Sequence, residues 1–181
     1  MNYIKLDLSG VLQYFSDTNT TTIKTTYNSS LYPTKSAIVG LLSSALGYNR
    51  NDNRITELFN ILDIKYKVIK NPIVLKDFQT ITGLKHQNNY MNLFYNRNVV
   101  TTMSNNTRNM RLTKSIQYLQ DAEFIVYVGC NDSKLKEIYD AIKNPVYSLY
   151  IGKRSCIPNK PLVTTFKLIR EEELLNVYDC A

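Results

Sequence analysis

From Tyr3 to Leu8 polar and apolar residues alternate, with Ile4, Leu6 and Leu8 on one side, which predicts a half-buried strand ended by Gly10. Ser16 to Ser30 is dominated by Thr, Asn and Ser and predicts an exposed loop or ragged hairpin. The period then lengthens. Ile38, Leu41, Leu42 and Ala45 recur at helical spacing, Pro33 and Thr34 suit the start of that helix, and Gly47 suits its end. Gly40, inside it, is expected to permit close packing on a sheet. A second short helix, Arg54 to Leu62, leads into an alternating strand from Ile64 to Lys70, with lysines outward. After Pro72, Ile73 to Ile81 reads as another strand. Thr82 to Ser115 shows no period, and so long a stretch without one tends to be functional or mobile. Tyr118 to Val128 reads as one strong strand. Ser133 is expected to cap a helix running to about Lys143, with Leu135, Ile138 and Ile142 inward, and Pro145 stops it. Val146 to Ile151 looks extended, Gly152 turns, and Pro161 to Ile169 reads as the last strand.

The resulting order is strand, helix, strand, strand, helix, strand. It predicts an α+β chain of ferredoxin-like (RRM-like) pattern, with an antiparallel sheet, two main helices and residues 82–115 inserted as a thumb. All 181 residues are expected to form one domain. The fold hosts many functions, so chemistry has to decide among them.

Composition removes several classes. No apolar run approaches the roughly 20 residues that cross a bilayer, and the first residues lack the order of a signal peptide. A cytoplasmic location and no membrane partner are expected. Cys130, Cys156 and Cys180 have no metal-ligand spacing, and the single histidine, His86, cannot complete a zinc site alone. No metal and no cofactor are expected, and one histidine with scattered carboxylates leaves little for acid–base catalysis. The cysteines read as reduced thiols, with Cys130 in the core.

The net charge is +7, and its distribution says more than its size. Thr18 to Arg50, Phe78 to Gln120 and Ala141 to Arg170 contain no Asp or Glu, yet hold fourteen of the twenty-two Lys and Arg residues. The rest of the chain is net acidic. Loops of a basic protein that simply lack acids are one reading. The other is a shared surface for a polyanion, since phosphates repel carboxylates and reward their exclusion. Fourteen tyrosines and no tryptophan, with Asn and Thr concentrated in these windows, suit stacking and hydrogen bonding to RNA.

Two segments could hold phosphates. Pro33-Thr34-Lys35-Ser36 combines free helix-start amides with the Lys35 charge and the Ser36 hydroxyl, although the glycine-rich run of a Walker loop is absent. A capped helix with a solvated lysine is the alternative. In Tyr150-Ile151-Gly152-Lys153-Arg154-Ser155-Cys156, Gly152 admits close approach, and Lys153, Arg154 and Ser155 can grip phosphate. The alternative there is a solvated turn.

Tyr32 to Leu42, Asp77-Phe78-Gln79-Thr80, Tyr118 to Phe124 and Tyr150 to Cys156, with Ser9-Gly10-Val11-Leu12-Gln13 before them, fall in the order and spacing of one family. The chain resembles, over nearly its whole length, the Cas-five family of CRISPR effector subunits in its type I-E Cascade form. The resemblance implies a modified ferredoxin-like (RAMP) domain with a protruding thumb and no nuclease activity, bound to the 5′ handle of crRNA. It implies a cap on the CasC backbone, contact with the CasA large subunit, an indirect part in target DNA binding, and a role in antiviral defence. Mapped here, the RNA-binding candidates are Gln13, Lys24, Lys35, Ser36, Arg97, Arg108, Arg111, Lys114, Tyr150, Lys153, Arg154 and Ser155. The thumb, carrying Arg97, Arg108, Arg111 and Lys114, is expected to cross the RNA where handle meets spacer.

Three departures stand out. Val11 and Phe15 replace a usual proline and tryptophan, and Ile116 and Gln117 stand where an arginine often precedes Tyr-Leu-x-Asp-Ala, leaving Lys114 or Arg111 to substitute. The chain also stops soon after its last strand, so some partner contacts are expected to be missing or supplied by another subunit. Two other functions fit parts of the pattern. A type I-C-like relative cleaves precursor RNA, which would enlist Lys85 and His86 with Tyr27, Tyr32 or Tyr90. A free-standing RNA-recognition module would need paired sheet aromatics, of which Tyr127 alone is a candidate.

Overall fold

Backbone hydrogen bonding divides the chain between two sheets, and the transfer from one to the other places the candidate site. A computed structural model describes residues 1–16, 26–82 and 111–180. In chain order the elements are β1 (Asn2–Ser9), β2 (Leu12–Gln13), β3 (Thr26–Tyr27), α1 (Lys35–Ala45), α2 (Asn53–Ile61), β4 (Asp63–Lys70) and β5 (Ile73–Thr82). They continue with β6 (Arg111–Gln120), β7 (Glu123–Cys130), α3 (Asp132–Lys143), β8 (Ile169–Arg170), a 3-10 turn (Glu171–Glu173) and β9 (Tyr178–Asp179). The first sheet runs β8-β1-β7-β4-β9, every pair antiparallel. The second has β6 at its centre, antiparallel to β5 and β2 and parallel to β3. This is a mixed α/β fold with largely antiparallel sheets and, among the described residues, three α-helices.

The two periods read from the sequence account for the core. Ile4, Leu6 and Leu8 of β1 and Phe124, Val126 and Val128 of β7 point into it. Against them α1 buries Ile38, Leu41, Leu42 and Ala45, and α3 buries Leu135, Ile138 and Ile142. Burying each such Leu or Ile side chain contributes about 1.5–3 kcal/mol, so truncating Leu42, which is fully buried, costs roughly 2–5 kcal/mol. Phe15 packs edge-on to Phe124 at 5.9 Å and ties the second sheet's first crossing to this core.

Several expectations are corrected. Tyr118 to Val128 is not one strand. Asp121 takes φ 53°, its amide donates to the Val11 carbonyl, and the chain leaves β6 there to start β7 in the other sheet. Aspartate tolerates that left-handed turn better than most residues. The unperiodic stretch is shorter than expected, because Arg111 to Ser115 is strand, paired with Phe78 to Thr82 of β5. Residues 83–110, the body of the expected thumb, lie outside the described residues. Pro161 to Ile169 forms no strand before Ile169; residues 162–163 are instead irregular and buried in the core, and Leu162 accepts one bond from the Asp7 amide of β1. The cap of α3 is Asn131, whose side chain accepts from the Lys134 amide, not Ser133. Gly40 packs on nothing: it is exposed, and no atom lies within 4 Å of where its Cβ would be.

Candidate nucleic-acid interface

The segment Tyr150 to Cys156 is folded onto the chain beyond β2 by its own backbone. The Tyr14 amide donates to the Ile151 carbonyl at 3.1 Å, Ile151 donates to Cys156 at 2.8 Å, and Cys156 donates to Lys153 at 2.8 Å. Ile151 and Cys156 are buried, which fixes the ends of the loop and leaves Gly152, Arg154 and Ser155 in solvent. Gly152 has φ +91° and lies against the Tyr14 carbonyl. That position admits no side chain. Burial in turn pushes the Cys156 thiol above its usual range, so it stays a neutral core group.

Lys153 is held differently from an ordinary surface lysine. Its Nζ stands 3.7 Å from the ring centroid of Tyr14, 5.1 Å from Tyr27 and 5.5 Å from Tyr118. Tyr14 and Tyr118 are themselves buried and meet edge-on at 6.3 Å. The β3–β6 pairing brings Tyr27 alongside, and Lys114 of β6 is the second cation on that ring, its Nζ 4.8 Å from the centroid. Burial, and then the Lys114 charge, hold the Lys153 ammonium below the usual lysine range. Neither cation forms an ion pair with an acid among the described residues. Two cations near one ring repel each other and jointly favour an incoming anion.

Beside this cluster a cleft of about 340 Å³ opens between the loop and α1. Ser36, Gly40 and Ser44 line one wall; Tyr150, Gly152, Lys153 and Arg154 line the other; Tyr14 and Ser16 close the end. No Asp or Glu is among the lining residues. Thr34 is the N-cap of α1; its hydroxyl bonds Ser36 Oγ at 3.4 Å rather than capping an amide, and the Ala37 amide donates to the Thr34 carbonyl at 3.1 Å, so the helix start's donors for a ligand are the amides of residues 35 and 36. A segment of each acid-free window therefore comes to this place: α1 and the Gly152 loop line the cleft, and Lys114 adjoins it through Tyr27.

Of the expected site residues, Ser36, Tyr150, Lys153 and Arg154 come together here, with Lys114 adjoining through Tyr27 and Ser155 next along the loop. Lys35 turns elsewhere, over the Phe59 ring of α2 at 4.8 Å. Gln13 is fully buried, and its amide donates to the Ala122 carbonyl at 2.7 Å, so its part is to fasten β2 to the β6–β7 turn. Lys24, Arg97 and Arg108 lie outside the described residues, and of Arg111 only the strand position is described. Lys85, His86 and Tyr90 also lie outside them, while Tyr32 is stacked on Tyr66 at 5.6 Å. Tyr14, Tyr118, Gly40 and Ser44 were not among the expected site residues, and Tyr27 was expected only for the cleavage reading. Tyr118 and Gly40 fall within the family's motifs, whereas Tyr14 and Tyr27 gain meaning only from contacts between segments far apart in the chain.

The open face of the first sheet offers a contrast. Tyr127 lies between Lys5 and Lys65 in register, as a sheet-bound RNA would want. Both lysines are already neutralised, Lys5 by Asp7 at 3.1 Å and Lys65 by Glu171 at 2.9 Å. The Glu171 hydrogen bond raises the Lys65 ammonium and lowers the Glu171 carboxyl. That face is charge-balanced; the cleft is not. Among the described residues no group of three His, Cys, Asp or Glu could hold a metal ion, and no helix is long and apolar enough to cross a membrane.

Residues 3–179 match a family model described as CRISPR-associated protein (Cas_Cas5). Over 169 residues the chain is 26% identical to the CRISPR system Cascade subunit CasD of Escherichia coli (strain K12), covering 89% of this chain and 69% of that one. A chain of a solved CRISPR RNA-guided surveillance complex superposes with a TM-score of 0.66 at 25% identity, covering 90% of this chain and 61% of that one. A crystal structure of a Cas protein gives 0.60 at 22% identity, covering 96% and 65%. The chain thus spans somewhat less than two thirds of the solved chains it matches.

Proposed function

This chain belongs to the Cas-five family of CRISPR-associated proteins, and on that premise we propose that it is a non-catalytic subunit of a type I-E Cascade surveillance complex, holding the 5′ handle of crRNA. The observation that carries the reading is the acid-free cleft in which Ser36 of α1 meets Lys153 and Arg154. An RNA backbone entering there meets helix-start amides, hydroxyls and cations on opposite walls, and Tyr150 offers a ring for a base. Capping of the CasC backbone and contact with CasA belong to the same proposal, which the likeness to a Cascade subunit of E. coli supports. Antiviral defence in the cytoplasm is the role such a complex serves.

The ferredoxin-like (RAMP) assignment is supported by the antiparallel order β8-β1-β7-β4, with α1 between β1 and β4 in sequence and α3 between β7 and β8. A non-catalytic role is supported by the single histidine of the whole chain, which leaves little material for acid–base cleavage.

The test is charge reversal, Lys153→Glu with Arg154→Glu, in the chain co-expressed with its backbone subunit and guide RNA. Each phosphate contact removed lowers the log–log salt slope of RNA binding by about 0.7. An unaltered slope excludes the cleft. Cleavage of repeat RNA by the purified complex without metal would overturn the non-catalytic reading.

A further inference from the structure

A second concavity lies on the far side of the loop-bearing segment. The end of α3 and residues 158–164 enclose an open groove of about 820 Å³, floored by the buried Ile142, Leu162 and Val163 with half-buried Leu149 beside them. Three of the chain's five prolines, Pro145, Pro158 and Pro161, form its rim. Proline fixes its own φ and carries no N–H, so the rim is stiff and poor in donors. A stiff, apolar groove of this size is preformed for a ligand and loses little entropy on filling.

Two exposed lysines, Lys143 and Lys160, flank the groove, and no Asp or Glu lines it. Neither lysine forms an ion pair among the described residues; Lys143 has only the Tyr139 ring at 6.0 Å. The rim therefore selects carboxylates and the floor selects aliphatic side chains. RNA suits it poorly, since no aromatic ring among the lining residues can stack on a base and the three prolines offer a phosphate no amide. Leu149 lines this groove while Tyr150, the next residue, lines the cleft, so an occupant here is a direct neighbour of whatever the cleft holds.

We infer that this groove docks a short apolar segment bearing carboxylates, contributed by another protein subunit of the complex. The inference rests on the subunit reading above. Apolar burial holds the segment, and the two lysines set its orientation and association rate.

The test uses the chain with p-benzoylphenylalanine in place of Asn159 on the rim, assembled with its co-expressed subunits and guide RNA, purified and irradiated. The expected adduct is to a protein, on a peptide where Asp or Glu alternates with apolar residues. Lys143→Glu with Lys160→Glu should lower adduct yield about tenfold, a difference of roughly 1.4 kcal/mol, without changing the RNA content of the complex. An adduct to RNA, assembly without any adduct, or a yield indifferent to the lysine reversals overturns the inference. Failure of the unaltered chain to assemble at all is a separate result, and it overturns the subunit reading instead.

Discussion

Gly152 lies against the Tyr14 carbonyl so closely that a Cβ at position 152 would stand 1.6 Å from that oxygen. The contact couples the cation-bearing loop to the residue that follows β2, and the obstacle is backbone, which cannot swing away. Gly152→Ala must therefore displace the loop as well as strain φ at +91°. The expected cost is about 2 kcal/mol or more, read from the urea midpoint. RNA retention should fall even under conditions where the variant is fully folded, because Lys153 moves with the loop.

The ring of Tyr27 is shared by Lys114 at 4.8 Å and Lys153 at 5.1 Å. Tyr27→Leu keeps the apolar bulk and removes the π face, so each ammonium loses about 0.5–1 kcal/mol of attraction. Their mutual repulsion is then less screened, and both side chains become less well placed. RNA affinity is expected to fall about three- to tenfold, with the salt slope nearly unchanged, since no charge is lost. A large drop in slope would mean that the tyrosine acts by holding the fold together.

Gly40 tests the cleft from its other wall. In the interior of α1, exposed and without neighbours, Gly40→Ala should stabilise the protein by about 0.5–1 kcal/mol through helix propensity alone. A bulkier Gly40→Leu should keep that gain and fill part of the 340 Å³ cleft. Thermal melts should rise for both variants, while RNA retention falls for leucine more than for alanine. If leucine binds RNA as well as glycine does, nothing enters the cleft at α1.

These residues show what was legible in the sequence and what was not. Clean periods gave α1, β4, β5 and the inward faces of α3, because burial on one face enforces a regular spacing. Tyr118 to Val128 misled for the same reason: apolar residues continue through the turn at Asp121, so the change of sheet leaves no mark on the pattern. Leu162 and Val163 look like strand but are core residues of an irregular segment, tied to β1 by one bond from the Asp7 amide. At the site, the exclusion of acids was visible, since it is a property of composition. The tyrosine cage was not, since Tyr14, Tyr27 and Tyr118 meet only through the pairing of strands far apart in the chain. Gln13 was expected to bind RNA, and only its burial and its bond to Ala122 show it fastening a turn.

The last prediction concerns the first sheet. Tyr3 and Asp63 flank Gly129 on either side in register, and a Cβ at Gly129 would lie 2.5 Å from the Tyr3 ring. The ring therefore crosses β7 over the one residue that leaves room, and its hydroxyl donates to Asp63 Oδ2 at 2.6 Å. Burial, then the bond to Asp63, push the Tyr3 phenol up to about 12. An unfolded tyrosine ionises near 10, so between these values the unfolded chain has released a proton that the folded one keeps. Stability from this group is complete below pH 10 and is lost as pH rises through 12. Each unit of pKa is worth about 1.4 kcal/mol, and with solvent screening of the charges beside it about 1–2 kcal/mol is at stake. Tyr3→Phe should be less stable than the parent at pH 8, and the gap should close by pH 12. Urea midpoints at both values measure it. A gap that stays constant with pH would show that the hydroxyl contributes by packing rather than by holding its proton.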